Sequence, residues 1–227
     1  MTRRLPRLGE IREVIGRPDQ ERSRQQRRLD RCASVLDVRD LARRRVPRAV
    51  FDYTDGAAMS EASLRRARSA FRQVEFTPRV MRDVSKVELT TDILGEVSAL
   101  PFAFAPTGFT RMMHHAGESA VAGVAGRSGI PYSLSTLGTT SIEALAEAAP
   151  NTRRWFQLYV SRDRQQAEDL MARAAARGYD TLVLTVDTAV GGIRYREVRN
   201  GLMIPPALTA GALAGMAMHP RWWFNAL

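Results

Sequence analysis

Four short apolar runs in this 227-residue sequence end in uncharged hydrogen-bonding residues. The first, 101–105, passes into Ala105-Pro106-Thr107-Gly108, and the second, 130–134, into Ser135-Thr136. The third, 155–160, carries Gln157 and Tyr159, and the fourth, 181–186, carries Thr185 and leads to Asp187. Hydroxyls and amides donate and accept without charge, so together they suit a flat, amide-rich ligand that needs neutral partners along its edge. One such residue at a strand end serves a turn, whereas four in succession point to a common ligand. Other chemistries lack their residues. The single Cys32 and the histidines 114, 115 and 219 have no metal-ligand spacing, and no Walker sequence, Gly-x-Ser-x-Gly elbow or kinase signature is present. Gly123-Val124-Ala125-Gly126 reads as small residues for close helix packing rather than as a phosphate loop.

These polar ends converge only if the four runs are neighbours. Helical stretches are expected between them at 117–127, 141–148 and 163–177, the last closing on Arg177-Gly178 with a basic final turn and a glycine cap. This β-α-β-α rhythm predicts a parallel sheet covered by helices, with strands buried on both faces. In a parallel barrel the carboxyl ends of the strands meet at the active site. Upstream, Asp37 is expected to cap a helix through Val38, Leu41 and Ala42, and Pro47 to break or restart it before Ala49-Val50-Phe51. A second helix is expected over 60–71, capped by Ser60, with Leu64, Ala67 and Phe71 on one face. The fold class is therefore α/β, a parallel sheet covered by helices and preceded by an N-terminal helical segment. Residues 1–34 form an Arg-rich, flexible leader and 35–227 the folded part.

The balance of 44% hydrophobic and 26% charged residues is that of a globular chain. Residues 1–48 hold 15 Arg against 7 acids, so they carry eight of the ten net positive charges. The basic character is that of an arm rather than of the fold. Acids interrupt the arm and no aromatic precedes Phe51, which argues for a solvated leader and against a nucleic-acid partner. A lone cysteine and the absence of a signal-like apolar run place the chain in the cytoplasm. The interval 200–220 has no charged residue, but Pro205-Pro206 and glycines 201, 211 and 215 argue for a loop rather than a spanning helix. Trp222-Trp223 would allow peripheral contact at the inner face of the membrane.

Phe51-Asp52-Tyr53, Ala105 to Phe109, Leu134-Ser135-Thr136, Trp155 to Tyr159 and Leu184 to Thr188 resemble the FMN-dependent α-hydroxy-acid dehydrogenases and oxidases. The likeness runs in family order from about residue 35 to the last residue. It is closest to the actinobacterial L-lactate-dehydrogenase-like branch through Phe51 to Gly56, Thr107 to His114 and His219 to Phe224. The resemblance implies a partial (β/α)8 barrel, its first four βα units, with FMN as cofactor and a small L-2-hydroxy acid as substrate, oxidised to the 2-oxo acid. By the same resemblance Tyr53 would donate its phenol to the substrate carboxylate, and Tyr159 would contact the hydroxyl or carbonyl region as the substrate-touching catalytic residue. Arg194 would be a substrate-binding or supporting cation. Ala105, Pro106 and Thr107 would lie against the flavin near N5, Ser135 and Gln157 would bond its edge, and Thr185 its pyrimidine side. Leu137 stands where some members carry a pocket-shaping aromatic, and Asp187 is read as structural.

Such chemistry needs a proton acceptor, a carboxylate-holding Arg and a cation at the flavin's N1–C2 edge. In the family a His motif with a nearby Arg and a Lys on a later strand supply them, and none has a matching position here. The three histidines fall outside that context, and Lys86 is the only lysine and precedes the first run. A barrel of this class takes about 250 residues, so the chain reads as an N-terminal fragment, inactive alone. A four-stranded half would expose two edges and an apolar face, which predicts self-association or a complementary half. The competing reading is a binding module whose Arg-rich arm contacts nucleic acid or anionic membrane.

Overall fold

The computed structural model describes residues 23–187, 190–200 and 215–226. Two compact units are distinguished, Met1–Arg44 and Arg45–Leu227. In the described part of the first, helix α1 (Arg24–Leu29) is capped by Ser23, whose hydroxyl accepts from the Gln26 amide. No apolar periodicity announces it. Helix α2 (Val35–Arg45) opens on a reciprocal cap: the Ser34 amide donates to Asp37 Oδ2 at 2.9 Å while the Ser34 hydroxyl accepts from the Asp37 amide at 3.4 Å. Asp37 therefore lies inside the first turn, and the cap itself is Ser34, the serine half of a capping box.

The second unit begins with α3 (Arg48–Asp55), which Pro47 starts, as expected of a residue whose missing N–H costs nothing at a helix entry. Val46, Ala49, Val50 and Phe51 are buried. Helix α4 (Ala62–Arg72) begins later than Ser60 predicts. Its cap is Glu61, held at a φ of 61° with no side-chain cap bond, because Glu61 is engaged by Arg196 and by the Ala57 amide. Strands β1 (Thr91–Ile93) and β2 (Glu96–Ser98) form an antiparallel hairpin around Leu94 and Gly95, both at positive φ, the conformation that matches the twist of a tight hairpin. Arg153 pins this hairpin to the foot of the sheet, donating to the Ile93 carbonyl at 2.7 Å and pairing with Asp180 at 2.6 Å.

After α5 (Thr110–Met113), the expected alternation runs α6 (Gly117–Arg127), β3 (Tyr132–Ser135), α7 (Ile142–Ala148), β4 (Arg154–Tyr159), α8 (Arg164–Ala176) and β5 (Tyr179–Thr185). Ser141 caps α7, Asp163 caps α8, and Gly178 at φ +72° closes α8 as the glycine cap requires. The sheet is parallel in the order β3-β4-β5, and Phe104 adds a fourth parallel position through one bridge to Tyr132. That run does not extend into a ladder because Pro101 and Pro106 bracket it without N–H groups to pair. The architecture is that of the first βα units of a (β/α)8 barrel. Helices α9 (Tyr195–Asn200) and α10 (Pro220–Ala226) follow.

Register assigns the two faces of the sheet. Leu134, Phe156 and Leu182 are aligned across the three strands, and Leu134 and Phe156 pack with Ala122, Leu145 and Ala174 of the helices. Period-two alternation then places Ser135, Gln157, Tyr159 and Thr185 on the opposite face. β3 is buried throughout, whereas on β5 Leu182 and Leu184 are 46% and 51% exposed although they point to the helix-packed side. Burial on both faces thus holds for β3 and fails for β5. The interval 201–214 lies outside the described residues, and among those described no helix is long and apolar enough to cross a membrane.

Candidate functional site

At the carboxyl ends of the strands the predicted polar residues are joined by hydrogen bonds. The Ser135 hydroxyl donates to Gln157 Oε1 at 3.0 Å, and Gln157 Nε2 donates to Thr185 Oγ1 at 2.7 Å, so one chain of contacts crosses all three strands. The Thr136 amide also donates to Gln157 Oε1, and the Leu137 amide to Ser135 Oγ. Thr136 extends the β3–β4 ladder with its side chain: its hydroxyl donates to the Gln157 carbonyl at 2.6 Å and accepts from the Tyr159 amide at 3.2 Å. Gln157 is 3% exposed, and an amide so enclosed keeps one orientation because any other leaves donors facing donors. Its second N–H and the hydroxyl hydrogen of Thr185 are the groups this edge can present to a ligand.

The first run reaches the same end of the sheet. The Phe109 amide donates to the Leu137 carbonyl at 2.9 Å, and a Cβ on Gly108 would lie 2.9 Å from Leu137 Cβ, so the two loops touch where only glycine fits. Ala105 and Thr107 are exposed and Pro106 is half-buried beside them. Thr136, Leu137, Tyr159, Ser161, Gln166 and Leu170 line an open hollow of about 590 Å³ at this end.

Tyr53 comes from α3 and meets Arg194, which precedes α9. The Arg194 guanidinium lies 4.8 Å over the Tyr53 ring, donates to the carbonyls of Tyr53 and Gly56, and pairs with Glu197 at 2.7 Å. The Tyr53 ring stands edge-on to Phe109, with centroids 5.9 Å apart. Burial raises the Tyr53 phenol above its ordinary value, helped by Glu197 and Tyr159 and opposed by Arg194, so it is a protonated donor at neutral pH. The Tyr159 phenol is thus close enough to act on Tyr53, and neither phenol has a hydrogen-bond partner among the described residues. Burial also raises Glu197 against the opposing pull of Arg194.

Two groups of residues escape a local reading of the sequence. Arg196 pairs with Asp55 at 3.0 Å, Glu61 at 2.6 Å and Asp52 at 3.5 Å, and Asn200 donates to Asp52 at 2.7 Å, which fastens α9 to α3. The only sequence sign is the i,i+4 spacing of Arg196 and Asn200. Glu118, wholly buried at the start of α6, accepts from Thr110, Thr139 and Thr140. Its sign is an acid in register with Ala122 and Ala125 on the buried face of a helix.

The histidines stay apart from the strand-end chain. His114 and His115 stack on each other with centroids 4.5 Å apart, and His114 is held below its usual value by burial, then by His115 and Arg45. His219 Nδ1 lies 3.1 Å from the Gly215 carbonyl. Lys86 lies in the exposed segment without regular secondary structure before β1, and Asp187 is exposed. Trp222 and Trp223, candidates for membrane contact, pack with Ala49, Tyr53 and Met216, and the Trp222 indole donates to the Met112 carbonyl at 2.7 Å. Among the described residues no group of three or more His, Cys, Asp or Glu could hold a metal ion.

Residues 42–227 match the family model described as FMN-dependent dehydrogenase. The chain is 48% identical over 229 residues to a putative L-lactate dehydrogenase of Mycobacterium tuberculosis, covering 100% of this chain and 55% of the relative. It is 43% identical over 190 residues to an L-lactate dehydrogenase of Caulobacter vibrioides, covering 84% and 49% respectively. Among solved structures, a monotopic membrane protein, (S)-mandelate dehydrogenase, superposes with a TM-score of 0.80 at 36% identity, over 86% of this chain and 52% of that one. The chain spans about half the length of the curated relatives it matches.

Proposed function

The chain belongs to the FMN-dependent dehydrogenase family, and we propose that its polar strand ends hold the ring of FMN in an enzyme that oxidises a small, lactate-like L-2-hydroxy acid to the 2-oxo acid. The observation that carries this reading is the Ser135–Gln157–Thr185 chain across three adjacent strands, on the face turned away from the helix-packed core. Its members are neutral donors and acceptors, and the polar edge of an isoalloxazine is a series of carbonyl and N–H groups of the same kind, so the donor set fits the ring. When bound, the flavin supplies a two-electron acceptor for the substrate's α-carbon.

The residues of this chain then have separable tasks. Ser135, Gln157 and Thr185 orient the ring edge, while Ala105, Pro106 and Thr107 offer a close surface against its face. Tyr53, kept protonated, donates to the substrate carboxylate, and Tyr159 contacts the hydroxyl being oxidised. Arg194 acts on Tyr53 through its ring and backbone carbonyl and adds positive potential beside the carboxylate. No histidine is bonded into this cluster among the described residues, so these 227 residues by themselves are proposed to bind but not to turn over. Leu182 and Leu184 support docking of a complementary set of βα units on β5. Light scattering that shows only monomer would remove that part, and a defined dimer would replace it with a second copy. Residence in the cytoplasm, with peripheral membrane contact, completes the proposal; flotation with anionic vesicles measures the contact.

The test is a titration of the purified chain with FMN, read by quenching of flavin fluorescence. Saturable quenching that weakens about five-fold in Thr185→Val is expected for loss of one neutral hydrogen bond. Absence of quenching in the wild-type chain overturns the flavin reading. Oxidation of L-lactate by the chain with FMN and a dye acceptor overturns the claim that it does not turn over alone.

A further inference from the structure

We infer that Glu118 is a positioning residue for the proposed flavin site, its carboxylate fastening the turn after β3 and the segment 105–110 to a single point at the start of α6. The inference rests on the flavin reading above. Thr110 Oγ1 donates to Glu118 Oε1 at 2.6 Å, the Thr139 amide to the same oxygen at 2.6 Å, and Thr140 Oγ1 to Oε2 at 2.8 Å. The Thr139 hydroxyl lies 2.8 Å from both oxygens and accepts from the Arg111 amide at 3.1 Å. The donors come from two segments that share no strand, and each leads to the site. From the turn, the Leu137 carbonyl takes the Phe109 amide and the Leu137 amide reaches Ser135, the first member of the strand-end chain. From Thr110, the next residue back is Phe109, whose ring braces Tyr53.

No described Lys, Arg or His forms an ion pair with Glu118, so hydrogen bonds alone compensate its charge. Burial pushes this carboxyl up, but the bonds from Thr110, Thr139 and Thr140 prevail and leave it below its usual value, hence ionised at neutral pH. A buried charge is a poor device for stability, since an apolar set of the same volume in place of the carboxylate and its donors together would avoid the desolvation. An acceptor-only group facing donors on every side instead permits one arrangement of those donors. Glutamine in its place keeps an acceptor for the Thr110 hydroxyl and the Thr139 amide but sets an N–H₂ against the Thr139 and Thr140 hydroxyls, which must turn from donating to accepting and lose their bonds to a charge.

The full chain carrying Glu118→Gln is compared with Thr152→Val, which removes a buried hydroxyl bond to the Ala122 carbonyl away from the two loops. Both lower the melting temperature. Only Glu118→Gln is expected to raise the FMN dissociation constant, by about ten-fold for a lost charge-assisted contact, and to speed amide exchange in 105–112 and 134–141 while β4 stays protected. FMN weakening in both variants in proportion to lost melting temperature, or wild-type affinity in Glu118→Gln, overturns the assignment. Should Glu118→Gln fail to fold, Thr139→Val removes one exposed donor and is held to the same outcomes. If the wild-type chain binds no FMN, the flavin reading falls and the exchange measurement decides: loosening confined to the two loops supports the clamp, and uniform or absent change ends it.

Discussion

At the ends of β3, β4 and β5 the polar groups are neutral, enclosed and supplied by neighbouring strands, whereas at the junction of α3 and α9 they are charged, partly open and supplied by segments about 140 residues apart. Gln157 is enclosed among Ser135, Thr136 and Thr185, each within one strand of it. Arg196 is about a third exposed and holds three carboxylates, those of Asp52, Asp55 and Glu61. The first arrangement sets the direction of single donors and acceptors, which a planar ligand edge requires. The second locks two helices together and so carries Tyr53 and Arg194 into place without directing any atom at a ligand. On the proposed reading, short-range, low-dielectric contacts orient the ligand edge, while screened, longer-range attraction positions the helix that carries Tyr53.

This contrast is open to direct attack. Gln157→Leu should have the largest effect, because it leaves the Ser135 O–H without an acceptor and Thr185 Oγ1 without its donor in an enclosed site, while the Thr136 amide keeps the residue-157 carbonyl; a loss of about 2 kcal/mol in urea unfolding is expected. A loss below about 1 kcal/mol would mean that the strand-end chain is no more cohesive than surface pairs. Arg196→Met should cost less, about 1 kcal/mol, since the guanidinium it removes is about a third exposed and Asp52 and Glu61 keep part of their access to water, Asp55 alone being buried. That cost should shrink as salt is added, whereas the Gln157→Leu cost should not. Equal salt dependence in the two variants would erase the distinction.

The same contrast governs what a reader of the sequence could find. Ser135, Gln157 and Thr185 were legible because each is a neutral polar residue within or just after an apolar run, and strand ends in a parallel sheet share one edge by topology. The helices α6, α7 and α8 were legible as stretches between apolar runs, the last also by the glycine that closes it, whereas the caps Ser141 and Asp163 became evident only with the fold. The α3–α9 junction was not, because nothing near Asp52 or Arg196 records that their segments meet. Glu118 was hidden differently, since its donors are threonines of two loops that read as ordinary turn residues until the fold brings them to one carboxylate. The shortening of the first run to a bridge at Phe104 followed from prolines visible in the sequence, but their weight against an apolar run depends on neighbours only the fold supplies.

The smallest expected effect is the response to acid, and it separates charged contacts from the strand-end chain by the slope of stability against pH. Glu61 is held below its ordinary value chiefly by its hydrogen bonds from Arg196, and Glu143, in a bidentate pair with Arg173 that ties α7 to α8, is lowered to about 2 from an ordinary 4.5. A carboxylate depressed in the folded state contributes stability that is fully present above its unfolded value and lost as pH falls through the folded one. Urea midpoints of the wild-type chain should therefore hold from neutral pH down to about 4.5 and fall toward about 2. Glu61→Gln and Glu143→Gln should each flatten that fall, while Gln157→Leu, with no titrating member in its cluster, should lower the whole curve and keep its slope. A wild-type slope in both glutamine variants would show that the charged pairs do not hold their helices in the folded state. A changed slope in Gln157→Leu would show that the strand-end chain is coupled to them.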